Sequence, residues 1–214
     1  MAFLCDKSPT ILHNISILVP TYTTHSFMHS LFCLAAACMW LLVYPLKVLQ
    51  DQPLPPLVEE HGKVSFLSEA PLELIRAKSD RLRGAIDRAQ NTFAFAVDIH
   101  SFKGFNSDLQ REHFHENYMQ TEKMPIASFS GKFIDPVDFA TNGSYVVRAK
   151  GVFSIHGVQK ERIIKGVITV NNNSIDVDAV FTVKLEDHDI KVPKIVYEKI
   201  AEEIRVELSI RFKK

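Results

Sequence analysis

The C-terminal run Ile204-Arg-Val-Glu-Leu-Ser-Ile-Arg-Phe212 places an apolar residue at every second position and a polar one between. A period of two fits a strand with one buried face and no other regular structure. The same period returns at Phe93, Phe95, Val97 and Ile99, and again at Ile175, Val177, Ala179, Phe181, Val183 and Leu185, where Asp176, Asp178, Thr182 and Lys184 fall on the opposite face. A chain with so many half-buried strands must pair them all or leave edges open, and an edge is a row of unmet backbone donors and acceptors. Turn-forming residues stand between the runs, at Asn142-Gly143 and at Asn171-Asn-Asn173, and both are expected to close hairpins with residues that tolerate positive φ.

The pattern predicts an antiparallel meander with strands near 127–134, 145–156, 162–170, 174–186 and 203–212. Glu112–Met119 and Pro193–Glu202 have helix-compatible spacing, the second with Pro193 at a first-turn position. The expected fold is therefore all-β, a single antiparallel up-and-down barrel of about eight strands with one or two short helices, because closure removes the exposed edges.

Composition divides the 214 residues near position 60. The first sixty hold all three cysteines (Cys5, Cys33, Cys38), the only tryptophan (Trp40) and two basic side chains, Lys7 and Lys47. All of the fifteen phenylalanines except Phe3, Phe27 and Phe32 lie beyond them. Leu31–Tyr44 is apolar and uncharged, too short for a comfortable bilayer span and suited to a signal-peptide core. A start at Met28 would place that core near the N-terminus. A retained anchor is a second reading, and a lipidated Cys38 a third that Met39-Trp-Leu-Leu-Val43 argues against, since the apolar run continues past the cysteine. Pro53, Pro55 and Pro56 favour extended chain, so the expected organisation is a leader over 1–50, a linker over 51–60 and a barrel over 61–214. A cleaved leader implies a periplasmic or secreted protein.

Formal net charge is zero, and no basic run stands apart from acidic neighbours, so nucleic acid is not an expected partner. The sequence has no G-x-S-x-G elbow, no glycine-rich phosphate loop and no H-E-x-x-H, and the expected barrel lacks cysteine. The expectation is a non-enzymatic protein without cofactor. Asp98, Asp176 and Asp178 sit opposite apolar faces, as on a solvated barrel exterior. His113 and His115 could share a metal only if their segment were a strand, and its pattern favours helix or loop, so no metal is expected. His61, His100 and His188 end strand-like runs and are expected to be solvated.

A barrel of this size either fills its interior with side chains or encloses one ligand. Phe66, Phe93, Phe95, Phe129, Phe153 and Phe181 fall in expected strands and are candidate walls for an apolar guest. Arg111 and His113 are candidate rim residues for its head group. His156, before Gly157, is a further candidate ligand contact, placed at a strand end where it also turns the chain and caps loop amides.

The order of three segments supports the ligand-binding choice. Leu109-Gln-Arg-Glu-His-Phe-His115 precedes Met124-Pro-Ile-Ala-Ser-Phe129, and Phe153-Ser-Ile-His-Gly-Val158 follows; Gly62-Lys-Val-Ser-Phe66 and Leu82-Arg-Gly-Ala-Ile86 open the domain. In this order they resemble the YceI-like family of bacterial envelope proteins over roughly residues 61–212; His113 matches the family histidine and His115 departs from the pattern. The resemblance implies a lipocalin-like barrel that encloses a polyisoprenoid, quinone or fatty-acyl chain in the periplasm. Membrane contact is expected only through the leader or during ligand exchange, and a homodimer is compatible with that. A side-chain-filled adaptor barrel and a histidine-dependent metal protein are the rival classes.

Overall fold

The computed structural model describes residues 55–214. Eight strands in chain order close on themselves: β1 Leu57–Glu69, β2 Leu74–Asp87, β3 Thr92–Asp98, β4 Ile126–Phe133, β5 Gly143–Ile155, β6 Val158–Val170, β7 Ser174–Lys184 and β8 Glu203–Lys213. Every neighbouring pair is antiparallel, and β8 returns to β1 over Lys63↔Ser209 to Leu67↔Arg205. The barrel expected from alternation is the fold observed. β1 takes in Leu57–Glu60, which the sequence assigns to the linker. The leader and its cysteines lie outside the described residues.

Closure depends on where β1 bends. Its register with β2 shifts between Glu59, Gly62 and Val64, and beyond that irregularity β1 pairs with β2 on one side and β8 on the other. Such bulges increase local twist and are frequent at barrel rims. A second device lies between β4 and β5, where Gly131 faces Gly151 in register. A Cβ on Gly131 would overlap the Lys150 carbonyl and stand 2.5 Å from the Gly151 Cα. Gly131→Ala must push two backbones apart, and its expected cost is about 2 kcal/mol, read as a lower denaturant midpoint.

The two ends of the barrel differ. Two of the four connections at one end, here the upper end, are more than hairpin turns: β3–β4 runs over 99–125 and β7–β8 over 185–202, whereas β1–β2 turns over 70–73 and β5–β6 at His156-Gly157. Helix α1, Asp108–His113, lies in the β3–β4 connection and begins at Ser107, whose hydroxyl accepts from the Gln110 amide. It continues into one π turn, Phe114–Tyr118, so the segment expected as a single helix over Glu112–Met119 starts earlier and changes its winding midway. Pro193–Glu202 contains only a 3-10 turn at Lys194–Val196, with Pro193 capping it from outside.

Turn chemistry also departs in part from expectation. Asn171–Asn173 closes the β6–β7 hairpin, but its backbone stays at negative φ, and Asn142-Gly143 ends a long connection over 134–142. Positive φ is used instead at His156 (51°) and Gly157 (74°), the two residues between the paired Ile155 and Val158. Two consecutive positive φ values match the strand twist of a two-residue hairpin.

The lower half is filled. Ile86, Ile168, Ile175 and Phe212 are wholly buried, with Val170, Leu57 and Phe93 beside them. Registers bring them together: Ile86 faces Leu57 and Phe93, and Ile175 faces both Val170 and Phe212. Removing such side chains from water contributes about 1.5–3 kcal/mol each.

Candidate functional site

Above the plug the barrel is hollow. A cavity of about 520 Å³ runs from the upper connections down to Phe133 and Val147, within the range of about 300–1,000 Å³ usual for small-molecule sites. Its lining is almost wholly apolar. The alternation on β8 shows the change from hollow to filled: Ile204, Val206 and Leu208 face the cavity and are half-buried, whereas Ile210 and Phe212 on the same face are sealed in the plug.

Space inside comes from small residues. Ala127, Ala149, Gly166 and Ala179 line the cavity on four successive strands, β4 to β7, across the barrel from the bulkier Phe66, Leu82 and Phe95 of β1 to β3. Gly166 pairs with both Val147 and Ala179, so two adjacent inward positions on β6 and β7 carry almost no side chain. Large phenylalanines in the strand runs suggest walls, whereas the inward-facing alanines and glycine of the same runs are what leave the space.

Phe66, Phe95, Phe129, Phe153 and Phe181 do line the cavity. Phe93 does not: it lies below, with ring centroids 4.9 Å from both Phe129 and Phe133, and belongs to the plug. His113 on α1 reaches the lining, whereas Arg111 turns outward to Asp108 at 3.1 Å and takes no part in the cavity wall. His156 is also outside the lining, and its Nδ1 donates to the His188 carbonyl at 3.0 Å instead of capping amides.

Several lining residues escaped sequence reasoning because they lie outside any periodic run. Phe102, Phe105 and Phe114 from the β3–β4 connection cluster on Phe66, with centroids 5.3 Å apart for the stacked Phe66–Phe114 pair and 5.0 Å for Phe105–Phe114. Tyr118 and Met119 continue this wall, and burial pushes the Tyr118 phenol above its ordinary value. The β7–β8 connection adds Leu185, Ile190, Val196 and Ile200. Polar groups gather at the rim: Glu73, Ser107, Gln110, His113 and Lys199. Gln110 Nε2 donates to Glu73 Oε1 at 2.8 Å, which ties α1 to the β1–β2 turn.

Two histidines behave unlike the sequence expectation. His188 is completely buried, not solvated. Its Nδ1 donates to the Val158 carbonyl at 3.3 Å and its ring stands edge-on to Phe153, 5.3 Å between centroids. With His156 it clasps the β5–β6 hairpin to the β7–β8 connection. Burial holds its pKa below the ordinary value of 6.5. His115 stacks on the exposed His100 at 5.6 Å and is likewise lowered, first by burial and then by His100 and Arg111. Each of these imidazoles takes up a proton less readily in the native barrel than in the unfolded chain, so the unfolded chain binds more protons below about pH 6.5. Stability should therefore fall as pH drops through that value. In His188→Gln, which keeps a donor for Val158, denaturation midpoints between pH 7.5 and 5 should show a shallower decline than in the parent. His100 and His61 are exposed as expected. Asp98 lies beside His100 outside the cavity, and Asp176 pairs with Arg211 on the exterior.

An antiparallel eight-stranded barrel, plugged at one end and hollow and apolar at the other, is a lipocalin-like binding barrel in architecture. A YceI-like domain profile matches residues 57–212, the whole barrel from β1 to the last turn of β8, and the chain belongs to the YceI-like family. A polyisoprenoid binding domain from Saccharophagus degradans, implicated in plant cell wall breakdown, is similar over 75% of this chain and 98% of its own, with a TM-score of 0.62 and 15% identity. BcnA of Burkholderia cenocepacia is similar over 70% and 95%, with a TM-score of 0.57 and 17% identity. At these identities the likeness is one of fold. No curated protein matches the chain.

Proposed function

We propose that this protein binds and carries one long apolar molecule of polyisoprenoid, quinone or fatty-acyl type inside the upper half of its barrel, in the periplasm or outside the cell. The observation that carries the reading is the cavity itself: about 520 Å³ bounded by phenylalanine, aliphatic and small side chains, with polar groups confined to the rim. An empty apolar void of that size forfeits contacts on every lining atom, and a hydrocarbon chain restores them without leaving any polar group unmet. The chain enters first and reaches toward Phe133 and Val147, while a head group stays among Gln110, His113 and Lys199. Binding in a compartment beyond the inner membrane agrees with the apolar leader core at Leu31–Tyr44.

Native followed by denaturing mass spectrometry on protein recovered from the host tests this reading. The expected result is a mass excess that disappears on denaturation and extracts into organic solvent as a hydrocarbon-rich molecule. A bare polypeptide mass, together with no thermal stabilisation by added polyprenyl or acyl chains, overturns it. A ligand present at a hundredfold its Kd should add about 2.7 kcal/mol, so the stabilisation is well within reach of a melting experiment. Recovery of the processed chain from a periplasmic or medium fraction tests the compartment separately, and retention in the cytosol refutes it.

A further inference from the structure

We infer that the open rim of the barrel is a bilayer-docking surface that inserts Leu72, Ile195 and Tyr197 among lipid head groups, with lysines beside them meeting anionic phospholipid. The inference rests on the carrier reading and adds how the cargo is collected and delivered. Exposed apolar residues on the outer wall alternate with charged ones: Ile163 faces Lys150 between Glu161 and Lys165, and Val152 faces Glu161. Those at the upper end behave differently. Ile195 is 91% exposed, Leu72 68%, Leu109 59% and Tyr197 45%, and all four belong to the segments that frame the mouth.

Hydrogen bonds fix these segments to one another. The Leu72 amide donates to the Glu198 carbonyl at 2.7 Å, Ala201 donates to Ser68 Oγ at 3.0 Å, and Gln110 reaches Glu73 at 2.8 Å. The β1–β2 turn thus bridges α1 on one side and the 194–200 segment on the other, and the four apolar side chains sit on one framed edge. That edge is continuous with the cavity, since Leu109, Val196, Lys199 and Ile200 line it. An apolar path therefore leads from the interior onto the exposed rim, the geometry a water-insoluble chain needs to pass between barrel and membrane without crossing water.

Charge supplies the second argument for this occupant. Lys191, Lys194 and Lys199 share the stretch Lys191–Ile200 with a single acidic residue, Glu198. All three are exposed, and none forms an ion pair among the described residues. Lysines that extend their aliphatic stems past a tyrosine and two branched aliphatics suit the boundary between acyl chains and anionic head groups.

Hydrogen exchange of the full chain, with and without phosphatidylcholine–phosphatidylglycerol vesicles, reads docking at the rim independently of the leader. Protection is expected at 71–73 and 194–200, with the opposite-end turns at 88–91 and 171–173 unchanged. Leu72→Ser/Ile195→Ser/Tyr197→Ser alters only exposed side chains outside the cavity; it should weaken the rim protection about tenfold or more in vesicle concentration while still binding a detergent-delivered chain. Lys191→Glu and Lys194→Glu should each weaken it about fivefold on anionic vesicles and not on neutral ones. Unchanged exchange at 194–200 in the presence of vesicles, while the protein still binds its chain, overturns the docking and leaves the carrier reading intact. Rim protection that rises with protein concentration without vesicles overturns it in favour of a second copy of the chain.

Discussion

Ala179→Trp should abolish uptake of an apolar chain and leave the barrel folded. Ala179 faces the cavity from β7, beside Gly166 on β6 and Leu208 on β8, both of which also line it. An indole placed there projects into the cavity, toward the volume a hydrocarbon would occupy. Affinity for a polyprenyl or acyl chain should drop about a hundredfold or more, measured by fluorescent-lipid displacement. Because the indole fills a void, the ligand-free protein should hold its melting temperature or gain about 0.5–2 kcal/mol. Ala149→Trp, on β5 facing Phe133 and Ile164, should act in the same way from a second strand. Equal binding by both variants and the parent would mean that the cargo is held elsewhere.

Truncating two phenylalanines at the two levels of the barrel should give opposite signatures. Phe212→Ala removes a wholly buried ring from the plug, where Phe95 stands 6.5 Å away and Ile175 lies opposite in register. The expected loss is about 3–5 kcal/mol, with a collapse of the denaturant midpoint, because a closed strand lattice cannot shrink around the hole. Phe181→Ala opens onto space that already exists. Phe181 touches Phe153 at 5.9 Å but borders the cavity on its other side, so its removal should cost ligand-free protein less than half as much. Its effect should appear instead in the ligand-bound protein, as a smaller stabilisation by cargo. Equal losses at both positions would show that the upper half is as tightly filled as the lower.

The contrast between these two residues explains what alternation conveyed and what it left out. Period two identified Phe181 and Phe212 as members of inward faces, and it did so correctly, because side chains of a strand can only alternate. It could not say that one inward face borders a void and the other a plug. That depends on which residues stand across the barrel, and those are separated by up to the full length of the domain. Phe93 shares the same pattern yet belongs to the plug, since its neighbours on β2 and β4, Ile86 and Gly131, lie at the lower level. Arg111 and His113 are two residues apart in a helix, so only one of them could reach the mouth; chain spacing implied a difference of direction without choosing which. The place of His188 after a strand suggests solvation, and only the hairpin clasped over it excludes water.

The amino-acid sequence by itself determined the element type, the antiparallel order and the closed barrel, because each follows from local alternation and from the penalty of an unpaired edge. The order of its motifs also placed it within its family. Only the tertiary structure decided that the interior is half filled and half hollow, that aromatics from 102–118 complete the wall of the hollow, and that the exposed rim residues gather at one mouth. Those properties arise where side chains distant in sequence meet across the barrel; small inward residues in a strand hint at space, but its place and volume depend on what stands opposite.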